Sequence, residues 1–161
     1  MAIKLVHKHK IAVVGLWHLG EIYSAGLAEL EHQVIGIDEK KFTVPPVAEP
    51  KLEFLISKNQ SAGRLSYDTD FRKIADQEVL WITMDTPVND EDKPDTKIVF
   101  ELLEKSLPFL KDNILIVISS QLPVGTSKKI REYINLKRPG LKFDYVYSPE
   151  NLRLGNAVNC F

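Results

Sequence analysis

The chain has one cysteine, Cys160, among 161 residues. A lone thiol closes no internal disulfide, which excludes a disulfide-stapled fold and makes a reducing cytoplasm the expected setting. No apolar run approaches the roughly 18 residues of a membrane span. The basic start, Met1 to Lys10, has no long apolar stretch behind it, so neither a membrane nor a signal peptide is expected. An excess of one charge is also missing: 21 Lys and Arg stand against 22 Asp and Glu, a net charge of -1. Nothing there grips a nucleic-acid backbone, and no nucleic-acid partner is expected. The histidines His7, His9, His18 and His32 show no metal-ligand spacing with acids or the cysteine, so no metal is expected. Repeats and low-complexity tracts are absent. What remains is an ordinary composition, 44% hydrophobic and 27% charged, in a length suited to one domain with its own core.

Apolar runs alternate with helical patterns, the mark of βαβ construction and a parallel sheet. Ile11 to Val14 reads as a strand ending at Gly15, followed by a helix from Gly20 to Glu31 and a strand from Gln33 to Ile37 closed by Asp38. Phe42 to Glu49, with Pro45 and Pro46, reads as loop, because proline cannot join a central ladder. A helix over Pro50 to Lys58, a short strand over Arg64 to Tyr67 and a short helix over Asp70 to Asp76 lead to a strand over Val79 to Met84. Asp85 to Pro94 is turn-prone, with the charged stretch Asn89 to Lys93 expected in solvent. Asp95 or Thr96 caps a helix carrying Ile98, Val99, Leu102, Leu103 and Leu107 on one stripe, and Pro108 ends or kinks it. Ile114 to Ile118 is the strongest strand, then come a helix near Ser127 to Ile134 and a last strand over Phe143 to Tyr147. The sum is an α/β, doubly wound, Rossmann-like sheet of about six strands. Ligands of such sheets sit at the strands' carboxyl ends, which selects Gly15 to Gly20, Asp38, Asp85 to Pro87 and Ser119 to Gly125.

Gly15 and Gly20 hold the first and third positions of G-x-G-x-x-G, and Asp38 ends the next strand 18 residues past Gly20. The first glycine permits the tight turn, the helix start offers N–H groups to a pyrophosphate, and the acid accepts hydrogen bonds from the adenosine ribose while disfavouring a 2′-phosphate. The spacing therefore prefers NAD to NADP. Trp17 takes the middle glycine's place, where backbone normally approaches the pyrophosphate. Glu21 suits the helix dipole but carries a charge close to where a phosphate would lie. A Rossmann-type domain with no dinucleotide is the alternative. His18 and Leu19 lie in the same turn, and His18 is a candidate phosphate contact.

Further segments resemble one family in order. Pro46 to Leu52 is similar to the P-x-x-E-P-G-L segment of nucleotide-sugar dehydrogenases, with Lys51 for the glycine. Gly63-Arg64-Leu65 with Thr69-Asp70, Thr86-Pro87, Ser120 to Thr126 and Ser148 to Gly155 resemble its G-R-L…T-D, T-P, S-T-V-P-x-G-T and S-P-E-F-L-R-E-G segments. Behind a Rossmann start, these point to the NAD-binding domain of the UDP-glucose/GDP-mannose dehydrogenase family.

The resemblance implies an NAD-dependent oxidation of a nucleotide sugar's primary alcohol to a carboxylate, through a catalytic cysteine in a C-terminal domain. It implies cofactor contacts from Gly15, Trp17, His18, Leu19, Gly20, Asp38, Thr86 and Pro87. Glu150 matches a glutamate that assists water attack; its structural alternative is a helix N-terminal acid. Gln121 stands for a threonine close to nicotinamide and substrate, and Leu154 for a second glutamate one helical turn past Glu150. The loop after Asp38 looks short for the family. Cys160, soon after the S-P-E segment, matches no nucleophile. The expectation is one dinucleotide-binding domain over residues 1–161, with nucleotide-sugar binding, turnover and a homodimer belonging to a longer protein. Two alternatives stand beside it: a degenerate Rossmann module with a binding or regulatory role, and another NAD enzyme such as a 3-hydroxyacid or 6-phosphogluconate dehydrogenase.

Overall fold

The computed structural model describes residues 7–39, 49–88, 94–150 and 152–161. Six strands, β1 (Lys10–Val14), β2 (Gln33–Ile37), β3 (Leu65–Asp68), β4 (Val79–Ile82), β5 (Ile114–Ile118) and β6 (Phe143–Tyr147), form one sheet in the order β3-β2-β1-β4-β5-β6. Every pairing is parallel. The order reverses between β1 and β4, so the crossovers leave β1 toward one face on one side and toward the other face on the other, and a crevice opens between them. The β-branched runs of β1 and β5 are buried on both faces, as this architecture requires.

Helices α1 (His18–Glu29) and α2 (Leu52–Ser61) and the single turn α5 (Ala157–Cys160) cover one face, packing on Ile11, Val13, Val34 and Val117. Helices α3 (Lys97–Ser106) and α4 (Thr126–Lys137) cover the other, over Ala12, Val14, Leu80, Ile82, Ile116 and Ile118. α1 is buried from His18 to Ala28, because it lies between the sheet and the α2–α5 layer. Among the described residues no helix is long and apolar enough to cross a membrane.

Several boundaries differ from the sequence reading for local reasons. α1 starts at His18, not Gly20. Pro50 and Lys51 form a turn before α2, with Lys51 in the left-handed region at φ 69°. Asp70 does cap the next segment, accepting from the Arg72 amide at 2.9 Å, but that segment is a 3-10 turn over Phe71–Asp76. Asp95 rather than Thr96 supplies the side chain at the start of α3, accepting from the Lys97 amide at 2.9 Å. Pro108 converts the end of that helix into a 3-10 turn, Leu107–Phe109. The proposed loop over Phe42 to Ala48 and the charged turn over Asn89 to Lys93 lie outside the described residues.

One correction bears on the site. Among the described residues no helix starts at Glu150: residues 148–150 and 152–156 are irregular, and Gly155 at φ 82° breaks a helical path to α5. Leu154 is therefore not one helical turn past Glu150, and Glu150 is not a helix N-terminal acid.

Two glycines set the height of α1 over the sheet. Gly15 takes φ 91°, and a Cβ there would meet Met84 Cβ at 2.9 Å. A Cβ on Gly20 would stand 2.7 Å from Thr83 Oγ1 and closer still to the Gly15 carbonyl, which is backbone and cannot give way. Gly20→Ala is expected to destabilise the fold by about 1–3 kcal/mol, the usual cost of overpacking. Val124→Ala, at a fully exposed side chain, is expected to change stability by less than about 0.5 kcal/mol. Urea unfolding of both variants reads the difference; equal midpoints would contradict the packing argument.

Candidate functional site

The turn between β1 and α1 is held from three sides. The Gly15 amide donates to the Ile37 carbonyl at 3.2 Å, and Thr83 Oγ1 donates to the Gly15 carbonyl at 2.8 Å. The Leu16 amide donates to Asp38 Oδ2 at 2.8 Å. The acid that ends β2 is thus fixed to the glycine turn itself, and it is buried there. Glu21 is the first residue of α1 whose amide reaches a helical acceptor, the Trp17 carbonyl at 3.0 Å. The amides of His18, Leu19 and Gly20 precede it and have no acceptor within the helix, the arrangement that receives an anion. Trp17 sits at φ -100°, a conformation open to any residue, so the missing middle glycine leaves the turn unstrained.

Beside the turn lies a cavity of about 440 Å³ lined by Trp17, His18, Leu19, Asp85, Gln121, Glu150, Leu152 and Leu154. Seven of the residues singled out from sequence meet here: Trp17, His18, Leu19, Asp85, Gln121, Glu150 and Leu154. Gly15, Gly20 and Asp38 form the turn next to it. Thr86 and Pro87 are not on the cavity wall. Thr86 Oγ1 donates to the Gln121 carbonyl at 2.7 Å and ties two loops, while the Pro87 carbonyl accepts from the Asp95 amide at 2.7 Å.

Two groups escaped the sequence reading. Glu49, within the P-x-x-E-P segment, is buried and accepts from His18 Nε2 at 3.1 Å, from the Gly155 amide at 2.8 Å and from the Ala157 amide at 2.7 Å. Burial opposes its charge, but the two amides and His18 together hold its carboxyl below the ordinary range. Tyr23 is the second. Trp81 Nε1 donates to Ser119 Oγ at 2.8 Å, Ser119 is hydrogen-bonded to Tyr23, and Tyr23 Oη donates to Glu150 Oε2 at 3.4 Å. Burial, then the Glu150 charge, pushes the Tyr23 phenol up to about 12, so it stays a donor at neutral pH. Asp85, which the strand-end rule had already selected, has its carboxyl raised by partial burial, against the pull of His18.

The donor set fits a dinucleotide: a positive-φ glycine, helix-start amides, a carboxylate at the end of β2 and an open cavity beyond them. Residues 9–161 match the family model described as UDP-glucose/GDP-mannose dehydrogenase family, NAD binding domain. The chain belongs to this family. It is 28% identical over 158 residues to the UDP-glucose 6-dehydrogenase YwqF of Bacillus subtilis, covering 92% of this chain and 36% of that protein. Among solved structures, a UDP-glucose dehydrogenase from Pyrobaculum islandicum superposes with a TM-score of 0.89 at 26% identity, over 99% of this chain and 40% of that one. A ternary complex of GDP-mannose dehydrogenase from Pseudomonas aeruginosa gives a TM-score of 0.82 at 26% identity, over 92% and 38%. The chain spans well under half the length of each of these relatives. It is an NAD-binding, Rossmann-like domain of the type found in these oxidoreductases.

Glu21 stood out in the sequence as a charge beside the anion site. Its side chain turns inward, only 2% of the residue is exposed, and its Oε2 has no hydrogen-bond partner. Burial pushes its carboxyl up to about 7, so near neutrality a large fraction carries no charge. Because its folded value exceeds the 4.5 of an ordinary glutamate, its protonated form favours the fold. That stability is fully present below about pH 4.5 and is lost as pH rises through about 7. Relative to the wild type, Glu21→Gln is expected to be more stable at pH 8 than at pH 5 by about 2 kcal/mol. Chemical denaturation of both proteins at the two pH values measures this, and a pH-independent difference would contradict the assignment.

Proposed function

We propose that this chain is the NAD-binding part of a nucleotide-sugar 6-dehydrogenase, which oxidises the primary alcohol of a sugar carried on a nucleoside diphosphate to a carboxylate. The observation that carries the reading is the Leu16–Asp38 hydrogen bond at 2.8 Å, which sets a carboxylate beside the start of α1. A carboxylate has about four acceptor positions, and in this reading Asp38 accepts from ribose hydroxyls as well as from the Leu16 amide. The amides of His18, Leu19 and Gly20 receive the pyrophosphate. Thr86 acts from behind, holding the loop that carries Gln121, and Pro87 holds the Asp95 amide ahead of α3. NAD supplies the hydride acceptor.

The residues of this chain bind, orient and move protons. Gln121, whose amide both donates and accepts, lines the cavity and in this reading orients the reacting groups. Glu150, which accepts from Tyr23, takes a proton from water in the same reading. Cys160 is exposed on α5, does not line the cavity, and in this reading does not serve as the thiol nucleophile. Turnover in this reading draws that thiol and most contacts to the nucleotide sugar from outside these 161 residues. The longer protein is a cytoplasmic homodimer in the same reading. Support comes from the relatives, several of which are UDP-glucose 6-dehydrogenases.

The test is calorimetric titration of the chain with NAD and with NADP. Saturable NAD binding is expected, with NADP weaker. Asp38→Asn is expected to weaken NAD by about tenfold, the effect of a lost charge-assisted hydrogen bond, and to narrow the NAD/NADP gap. Absence of saturation at millimolar NAD would overturn the proposal in favour of a binding module without a dinucleotide.

A further inference from the structure

Glu49 joins two parts of the molecule that sit far apart in sequence. Its side chain has no solvent exposure. One oxygen, Oε2, accepts from His18 Nε2 at 3.1 Å and from the Gly155 amide at 2.8 Å; the other, Oε1, accepts from the Ala157 amide at 2.7 Å. His18 is the first residue of α1, and its own amide belongs to the anion-receiving group. Gly155 and Ala157 belong to the segment after Glu150, which places Leu152 and Leu154 on the cavity wall. The carboxylate therefore ties the floor of the dinucleotide turn to the wall that carries Glu150.

We propose that Glu49 is a positioning residue that couples dinucleotide binding at the Gly15–Gly20 turn to the placement of the Glu150-bearing segment in the cavity. The proposal rests on the reading that NAD binds at that turn. An anion on the amides of His18, Leu19 and Gly20 fixes the start of α1. His18 then holds Glu49, and Glu49 holds Gly155 and Ala157. The three contacts need an acceptor at both oxygens. Glutamine offers one acceptor and one NH₂, so Glu49→Gln sets a donor against a donor at one contact or more.

Amide hydrogen exchange of the whole chain, with and without saturating NAD, tests the coupling. In the wild type NAD is expected to slow exchange at Gly155 and Ala157 by about tenfold. In Glu49→Gln these amides are expected to exchange about tenfold faster without NAD, and NAD no longer slows them, while NAD binds several-fold more weakly. Exchange at Ile130 and Ile134 of α4 should match the wild type, which shows that the variant is folded. His18→Ala cuts only the link to α1. It should leave Gly155 and Ala157 protected without NAD yet abolish the NAD effect, an outcome that a merely structural Glu49 would not produce. His18→Gln, which restores a donor, should recover it. If Glu49→Gln fails to fold, the His18 pair decides. NAD binding that leaves Gly155 and Ala157 unchanged in the wild type overturns the coupling alone. No binding of NAD by the wild type overturns the reading of the site and the coupling with it.

Discussion

The close approach of α1 to the loop that ends β1 governs the functional end of this molecule. Gly20 lies against the Gly15 carbonyl and the Thr83 hydroxyl, leaving no room for a side chain. Gly15 in turn needs a positive φ to bring its carbonyl there. The helix start is thereby seated at the carboxyl edge of β1, at the reversal of strand order between β1 and β4. The crevice opens at that point because connections on either side go to opposite faces. The same turn directs the Leu16 amide at Asp38, so the end of β2 is set by the turn as well. Anion-receiving amides, a carboxylate and an open cavity follow from two glycines and the sheet order.

The centre of the sheet was legible in the sequence because β1 and β5 are short, β-branched runs buried on both faces, and such runs announce themselves one at a time. Gly15, Gly20 and Asp38 were legible for the same reason: each obeys a rule spanning a few residues or one βαβ unit. Helix ends were less so. The start of α1 fell on Trp17 and His18, where no side-chain cap marks it. The absence of a helix after Glu150 was hidden because the S-P-E segment looks like a helix start, while the positive φ at Gly155 is set by tertiary contacts. Glu49 and Tyr23 were out of reach altogether. Their partners lie 106 and 108 residues away for the Glu49 amide bonds and 127 for the Tyr23 bond, and no local pattern encodes such distances.

Two buried glutamates near the turn show how environment divides one side chain into two behaviours. Glu49 meets three donors and keeps its charge below the usual range despite burial. Glu21 has an oxygen with no partner, and burial alone pushes it up to about 7. The desolvation cost is offset in the first case and left standing in the second. The consequence reaches the anion site. The Glu49 charge is engaged with His18 and two amides, and the Glu21 charge, which would oppose a diphosphate, is reduced near neutrality by its own surroundings.

The departures from the dinucleotide fingerprint then fall into separate kinds. Trp17 replaces a glycine at a position whose backbone, at φ -100°, does not require one. Its indole, 38% exposed, becomes part of the cavity wall and leaves about 440 Å³ of space beside it. Gln121 and Leu154 alter the same wall, and Leu154 offers no hydrogen bond where the resemblance places a carboxylate. Glu21 alters the layer beneath. None of these touches the two glycines, the helix-start amides or the Leu16–Asp38 bond. Backbone geometry decides whether a diphosphate finds donors, whereas side chains on the wall decide which groups lie beyond it. Divergence in the wall and the layer beneath it changes the side chains around the turn while leaving its two glycines and its helix-start amides in place.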